Sequence, residues 1–151
     1  PLGAGILVKP VTGAPGDGNE ALRKAIVREL RDLGAEITAD SQQARLTLTG
    51  HVSLQPVGQG KDEVFVIWRI QTMDGFEVGR ATQANNIPTG KLDGLWGDKA
   101  NKVAEAALIG IKRIIGLGKA NKVQSKKDIS GQPILIPDLE SAPDLTATPQ
   151  Q

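Results

Sequence analysis

The feature that most constrains the fold is a regular alternation of apolar or small residues with polar ones at positions 45–55. The apolar or small members are Leu46, Leu48, Gly50, Val52 and Leu54. Successive side chains of a β-strand point to opposite faces of the sheet, so this strand has one buried face and one wet face. The pattern therefore predicts a sheet that is covered on one side only.

Two amphipathic helices are predicted to supply that cover. The first spans about residues 18–33, follows an apolar strand at about residues 6–12, and stops at Gly34, a common residue just after a helix. The second spans about residues 98–117. Each helix carries a single apolar stripe at helical spacing, so both can pack on the same face of the sheet.

The remaining strands complete a small antiparallel sheet. They are predicted at residues 35–39, 63–73 and 76–85. The Asp-Gly pair at residues 74–75 predicts a two-residue hairpin, and Pro56 is expected to end the alternating strand before a flexible connection. The order is βαββββα, which packs most economically as an α+β two-layer sandwich, with a mostly antiparallel sheet and two helices on one face.

The chain is predicted to hold one α+β domain, residues 1–118, followed by a flexible tail, residues 119–151. The tail is basic at first and then rich in Pro, Ser and Thr, without apolar periodicity. A short apolar island at residues 134–136 interrupts it and is suited to add a strand to a sheet edge, in this protein or in another. Removal of the tail should change the stability little unless this island docks on the domain.

The composition argues against several functional classes. The sequence has no Cys and one His, which excludes thiolate metal sites and a Cys nucleophile. A net charge of +1 and an aromatic content of 3% give little reason to expect nucleic-acid binding. No cluster of polar side chains can be assembled from the sequence. We therefore expect no enzyme activity, no metal and no cofactor.

A glycine-rich loop at residues 13–19 precedes the first helix, a place where anions often bind. Two of its glycines have the spacing of a phosphate-binding loop, but Asn19 and Glu20 stand where Lys and Ser or Thr are needed. The loop is therefore predicted to be a tight turn that binds no nucleotide. Asp17, with Glu20 three residues later, predicts a capping box at the start of the helix.

A second long loop, residues 85–98, joins the last strand of the sheet to the second helix. It contains three Gly, two Asn and one of the two Trp residues of the chain. Loops of this type often carry function, so one interpretation is contact with a partner or ligand. In the alternative, Leu92, Leu95 and Trp96 fill the open end of the core between the helices and the sheet, and Asp98 caps the helix.

A half-apolar surface is predicted on the sheet face that the helices leave open. Arg69 lies there with Phe65, Ile67 and Met73, a combination that suits a protein partner or an amphiphile. Together with the second loop, this surface gives the predicted partner-binding residues. They are Arg69, Asn85, Asn86, Leu92, Asp93 and Trp96.

Several short stretches of the sequence resemble small bacterial envelope lipoproteins. They are a first strand that ends in Pro-Val-Thr-Gly, a strand with Gln-Ala-Arg-Leu-Thr-Leu-Thr-Gly, and an Ile-Trp-Arg-Ile strand before the Asp-Gly turn. With the layout of residues 6–117, they resemble the penicillin-binding-protein activator LpoB, the curli secretion lipoprotein CsgG and the N-terminal domain of TolB.

This resemblance implies an exported, periplasmic protein that is anchored to the outer membrane through a lipidated Cys upstream of the chain. It implies a non-enzymatic binding or scaffold module in cell-envelope assembly or transport. The expected partner is an envelope protein rather than nucleic acid, and the domain is expected to be a monomer. The alternative is a carrier or sensor of a small amphiphilic ligand, which needs a cavity between the helices and the sheet.

Overall fold

The structure is a computed structural model that describes residues 5–120 and 134–135. Its elements are β1 Ile6–Val8, α1 Gly18–Asp32, β2 Leu46–Gly58, β3 Lys61–Thr72, β4 Glu77–Pro88, α2 Asp98–Ala120 and β5 Ile134–Leu135. They form one mixed, open sheet with two helices, which confirms the predicted α+β sandwich.

The sheet has the strand order β1-β2-β3-β4-β5. β2, β3 and β4 form an antiparallel meander, whereas β1 and β5 add to its two edges as short parallel strands. At the β5 edge Ile134 pairs with Gln83 and Leu135 with Ala84, so the apolar island adds a strand to the sheet of this protein. The predicted boundary at residue 118 falls inside α2, and most of the predicted tail lies outside the described residues.

The strand predicted at residues 35–39 is reduced to a single bridge. Ile37 pairs with Ile6, through hydrogen bonds from the Ile6 amide to the Glu36 carbonyl oxygen (2.8 Å) and from the Thr38 amide to the Ile6 carbonyl oxygen (2.9 Å). This segment therefore sits beside β1, at the edge of the sheet and next to α1.

The two hairpins differ from their predictions in their turns. β2 runs through Pro56, where the register with β3 shifts, and the connection expected to be flexible is a tight turn. Its central residues Gln59 and Gly60 have φ values of 58° and 73°, as a type I′ turn requires. In the β3–β4 hairpin the Thr72 amide donates to the Phe76 carbonyl oxygen (2.8 Å), which closes a three-residue loop instead of a two-residue one.

The core lies between the helices and one face of the sheet. The β3 side chains on that face are at most 2% exposed, and they are Val64, Val66, Trp68 and Ile70. One polar side chain is buried among them. Gln83 accepts a hydrogen bond from the Trp68 indole (2.7 Å) and donates one to the Val103 carbonyl oxygen (3.0 Å). Its amide is thus bonded at both ends and links the sheet to α2.

The helices match their predicted positions within a few residues, with one local exception. A Lys side chain is ordinarily exposed, but that of Lys99, in the first turn of α2, is fully buried. The first turn of α2 is enclosed, since Trp96 and Ala100 are buried around it. Among the described residues, neither helix has a stretch that is both long and apolar enough to span a membrane.

Candidate partner-binding site

The glycine-rich loop and the loop before α2 form one packed unit, residues 13–19 with residues 89–97, which we call the loop junction. Trp96 is its centre and is fully buried. The indole nitrogen donates to the carbonyl oxygens of Pro15 (3.0 Å) and Leu92 (3.1 Å). The backbone amide of Trp96 donates to a carboxylate oxygen of Asp17 (2.8 Å). One side chain thus joins two loops that are about 80 residues apart in the sequence.

The glycines of the first loop make room for the second loop. A Cβ atom at Gly18 would lie 2.5 Å from the ring of Trp96. A Cβ atom at Gly16, which has a φ of 57°, would overlap the carbonyl oxygen of Gly94. The glycine pattern therefore serves close packing of two chain segments. That the loop binds no nucleotide stays a prediction.

The predicted capping box is wrong. Asp17 precedes α1 but makes no side-chain hydrogen bond to the first turn of the helix, because its carboxylate accepts from the Trp96 amide instead. Glu20 forms an exposed ion pair with Lys24 at 3.3 Å.

Two of the predicted partner-binding residues need correction, because they offer no surface to a partner. Leu92 is 1% exposed and Trp96 is fully buried, as expected if they fill the open end of the core. Leu95, the third residue of that alternative, is 49% exposed and does not fill the core. Asp93 is exposed in the same loop.

The sheet face opposite the helices, which we call the open face, consists of paired side chains from three strands. Phe65 lies between Ser53 and Ala84, Ile67 between His51 and Thr82, and Arg69 between Thr49 and Arg80. Phe65, Ile67 and Arg69 are half-buried, and His51 is exposed. His51 forms a bridge with Thr12, four residues beyond the end of β1, and its Nδ1 atom is 2.9 Å from the Thr12 hydroxyl. The open face is thus a mixture of apolar, hydroxyl and cationic groups.

The two arginines on the open face share one carboxylate. Arg69 and Arg80 are direct cross-strand partners, an arrangement that is unfavourable for like charges. Glu77 accepts from Arg80 Nε at 2.8 Å and lies 3.6 Å from Arg69 Nε. The hydrogen bond and the charge of Glu77 raise the pKa of Arg80 above its ordinary value. Sequence reasoning missed Glu77, because the predicted two-residue turn pairs it with Thr72 and places it on the other face of the sheet. The register shift after Ile70 pairs it with Gln71 instead, on the face of both arginines.

The structure does not bring the six predicted residues together. Asn86 is exposed at the end of β4, six residues beyond Arg80, which corresponds to about 20 Å along a strand. Asn85 is half-buried and lies opposite Val64, on the side of the sheet that faces the helices. Partner binding by Arg69, Asn85, Asn86 and Asp93 stays a prediction, and only Arg69 and Asn86 belong to the open side of the sheet.

The carboxylate of Asp74, in the turn between β3 and β4, has a lowered pKa. The hydrogen bond from the Thr72 hydroxyl, followed by backbone hydrogen bonds in the turn, lowers the pKa of Asp74. Asp74 is therefore a turn residue held in its charged form. Within the part of the chain that the structure describes, no three His, Asp or Glu side chains are grouped as a metal ion would need.

Comparison with known proteins gives similarity of structure but not of sequence family. No protein-family model matches the sequence, and none of the curated protein sequences matches it. Among solved structures, the chain is similar to the hypothetical protein CT253 from Chlamydia trachomatis. The identity is 10% and the TM-score 0.50, over 80% of this chain and 100% of that one.

Two further structures share less of the fold. Lipoprotein GNA1162 from Neisseria meningitidis has 11% identity and a TM-score of 0.45, over 72% of this chain and 98% of that one. The PelC dodecamer from Paraburkholderia phytofirmans has 20% identity and a TM-score of 0.39, over 56% of this chain and 70% of that one. At such identities the likeness concerns the fold alone.

Proposed function

We propose that this chain is a non-enzymatic binding or scaffold domain of a bacterial envelope lipoprotein, which engages an envelope protein through its open face. The envelope part of the proposal comes from the sequence resemblance to small lipoproteins, LpoB, CsgG and TolB included. On this proposal the domain lies in the periplasm and is anchored to the outer membrane by a lipidated Cys upstream. Its role is in envelope assembly or transport.

The observation that carries the proposal is the composition of the open face. Phe65 and Ile67 form an apolar centre, and the arginines at positions 69 and 80 with Glu77 form a charged rim at one end. Apolar side chains surrounded by polar and charged ones are typical of protein interfaces. Both helices pack on the other side of the sheet, so neither of them covers this face within the part of the chain that the structure describes.

The alternative function, a carrier or sensor of a small amphiphile, needs space between the helices and the sheet. The apolar pocket at that place is lined by Leu30, Leu48, Ile70 and Ile111 among others, and it has no room for even a water-sized sphere. This pocket therefore gives the alternative no support, and we favour a protein partner.

Photo-crosslinking in the native bacterium tests the proposal. A photoreactive amino acid is placed at Ile67 or Thr82 on the open face, and at Glu105 or Lys112, which are exposed on α2. We expect a discrete crosslinked protein in the envelope fraction from the two open-face positions and none from the two control positions. Equal crosslinking from both sets, or recovery of the domain outside the envelope fraction, would contradict the proposal.

A further inference from the structure

A groove of about 520 Å³ lies between the outer face of α1 and residues 37–39, away from the open face. Its walls carry four cations and one carboxylate, which are Arg23, Lys24, Arg28, Arg31 and Asp32. The local charge is thus +3, whereas the rest of the chain has 14 basic and 16 acidic residues. The groove therefore carries a local excess of positive charge, which attracts anions to it.

Two of the arginines are held by neutral oxygen atoms. Arg23 Nε donates to the Val8 carbonyl oxygen at 3.1 Å, and a terminal nitrogen of Arg28 donates to the side-chain oxygen of Asn101. These acceptors orient the guanidinium groups without cancelling their charge, in contrast to Arg80, which is paired with Glu77. A guanidinium has five N–H donors, so each arginine keeps donors beyond the one used here.

The cations form a stripe along the helix. Lys24, Arg28 and Arg31 are at positions i, i+4 and i+7, which spans about 10 Å at 1.5 Å per residue. Like charges at this spacing repel each other, and a bound anion relieves that repulsion. The ion pair of Lys24 with Glu20 offsets little, because both side chains are about 70% exposed.

We infer that this groove binds the phosphate group of a phosphate ester. Guanidinium groups match phosphate oxygens in a bidentate manner, which Arg28 and Arg31 offer from adjacent turns. The half-buried side chains of Val27 and Ile37 give an apolar wall for the carbon skeleton of the ester. The volume is within the usual range for small-molecule sites. The phosphate ester is either a soluble molecule or a phospholipid headgroup.

A titration of the isotope-labelled full chain, followed by NMR at low salt, tests the inference and separates the two sources. Glycerol 3-phosphate is the soluble probe, and vesicles of phosphatidylglycerol are compared with vesicles of phosphatidylcholine. A soluble ligand gives saturable shifts of α1 amides with the first probe. A headgroup gives binding to phosphatidylglycerol vesicles alone, and either result supports the site.

Matched variants connect that binding to the groove. The double variant Arg28→Gln with Arg31→Gln should weaken the binding affinity at least tenfold. The control double variant, Lys112→Gln with Arg113→Gln, makes the same change of charge on the exposed face of α2. It should change the affinity less than about twofold. If the double variant loses its native circular dichroism, Arg31→Gln alone, at an exposed position, repeats the comparison. Absence of saturable binding to every probe, or an equal loss in both sets of variants, would overturn the inference.

Discussion

The loop junction and the open face both appear from the sequence as parts of one binding surface, yet the structure gives them opposite characters. In the loop junction Trp96 is fully buried, and its indole and amide groups all have hydrogen-bond partners in the other loop or its own. On the open face Phe65, Ile67 and Arg69 are half-buried on the side of the sheet opposite α1 and α2. The first region holds the fold together, and the second is the surface that we propose for a partner.

The difference shows why an unusual loop composition is an unreliable sign of binding. Glycines and a tryptophan together are found at contact sites, but they also allow two backbones to approach around a large side chain. Here Gly16 and Gly18 leave the space that Gly94 and Trp96 occupy. The distinction depends on a second loop far away in the sequence, which no local pattern contains.

The largest expected effect comes from removal of the central side chain of the loop junction. Trp96→Ala should lower the free energy of unfolding by about 3–5 kcal/mol, because it leaves a cavity and removes the indole hydrogen bonds. The measurement is urea unfolding followed by circular dichroism. Leu95→Ala, at the exposed neighbouring position, is the control and should change stability by at most about 0.5 kcal/mol.

A smaller loss of stability is expected when Gly18, which packs against the ring of Trp96, is changed. Gly18→Ala adds a methyl group 2.5 Å from the indole ring, and such overpacking should cost about 1–3 kcal/mol. Gly116→Ala is the matched control, because the new methyl group would meet no atom within 4 Å apart from the neighbouring backbone of α2. This change should stabilise the protein by about 0.5–1 kcal/mol. A neutral Gly18→Ala variant would mean that the two loops are not tightly packed.

The smallest effect concerns the open face. Glu77→Gln leaves Arg69 and Arg80 opposite each other without a shared carboxylate, and should cost about 0.5–1 kcal/mol at low salt. The cost should shrink at 1 M salt, where charges are screened within about 3 Å. Glu20→Gln, which breaks only an exposed ion pair, is the control and should have almost no effect. Equal losses of stability in the two variants would show that Glu77 does not offset the repulsion between Arg69 and Arg80.

Much of the fold was predictable because its signals are local. The alternation around Gly50 and Val52 fixed which face of β2 is buried, and the two apolar stripes placed both helices on that face. The turns were harder. The left-handed pair Gln59–Gly60 and the continuation of β2 through Pro56 depend on pairing with β3, and a Gln at a positive φ gives no local signal.

The candidate site was predictable only in part. The half-apolar face around Ile67 follows from strand periodicity, and the structure confirms the alternation that defines it. The burial of Leu92 and Trp96 was one of the two interpretations of their loop, and only packing between segments far apart in the sequence decides between them. The burial of Lys99 has no local signal. The basic groove needs the segment beside β1, which bridges to Ile6 and forms one wall.

The most direct test of this account is the environment of Trp96 in solution. The chain has two Trp residues, so Trp68→Phe leaves Trp96 as the only indole, and native circular dichroism verifies that this variant is folded. The account predicts blue-shifted fluorescence emission and weak quenching by acrylamide, both lost on unfolding in urea. If the emission and quenching of the folded variant equal those of free indole, the account is contradicted. Trp96 would then be exposed and would again be a candidate partner-binding residue.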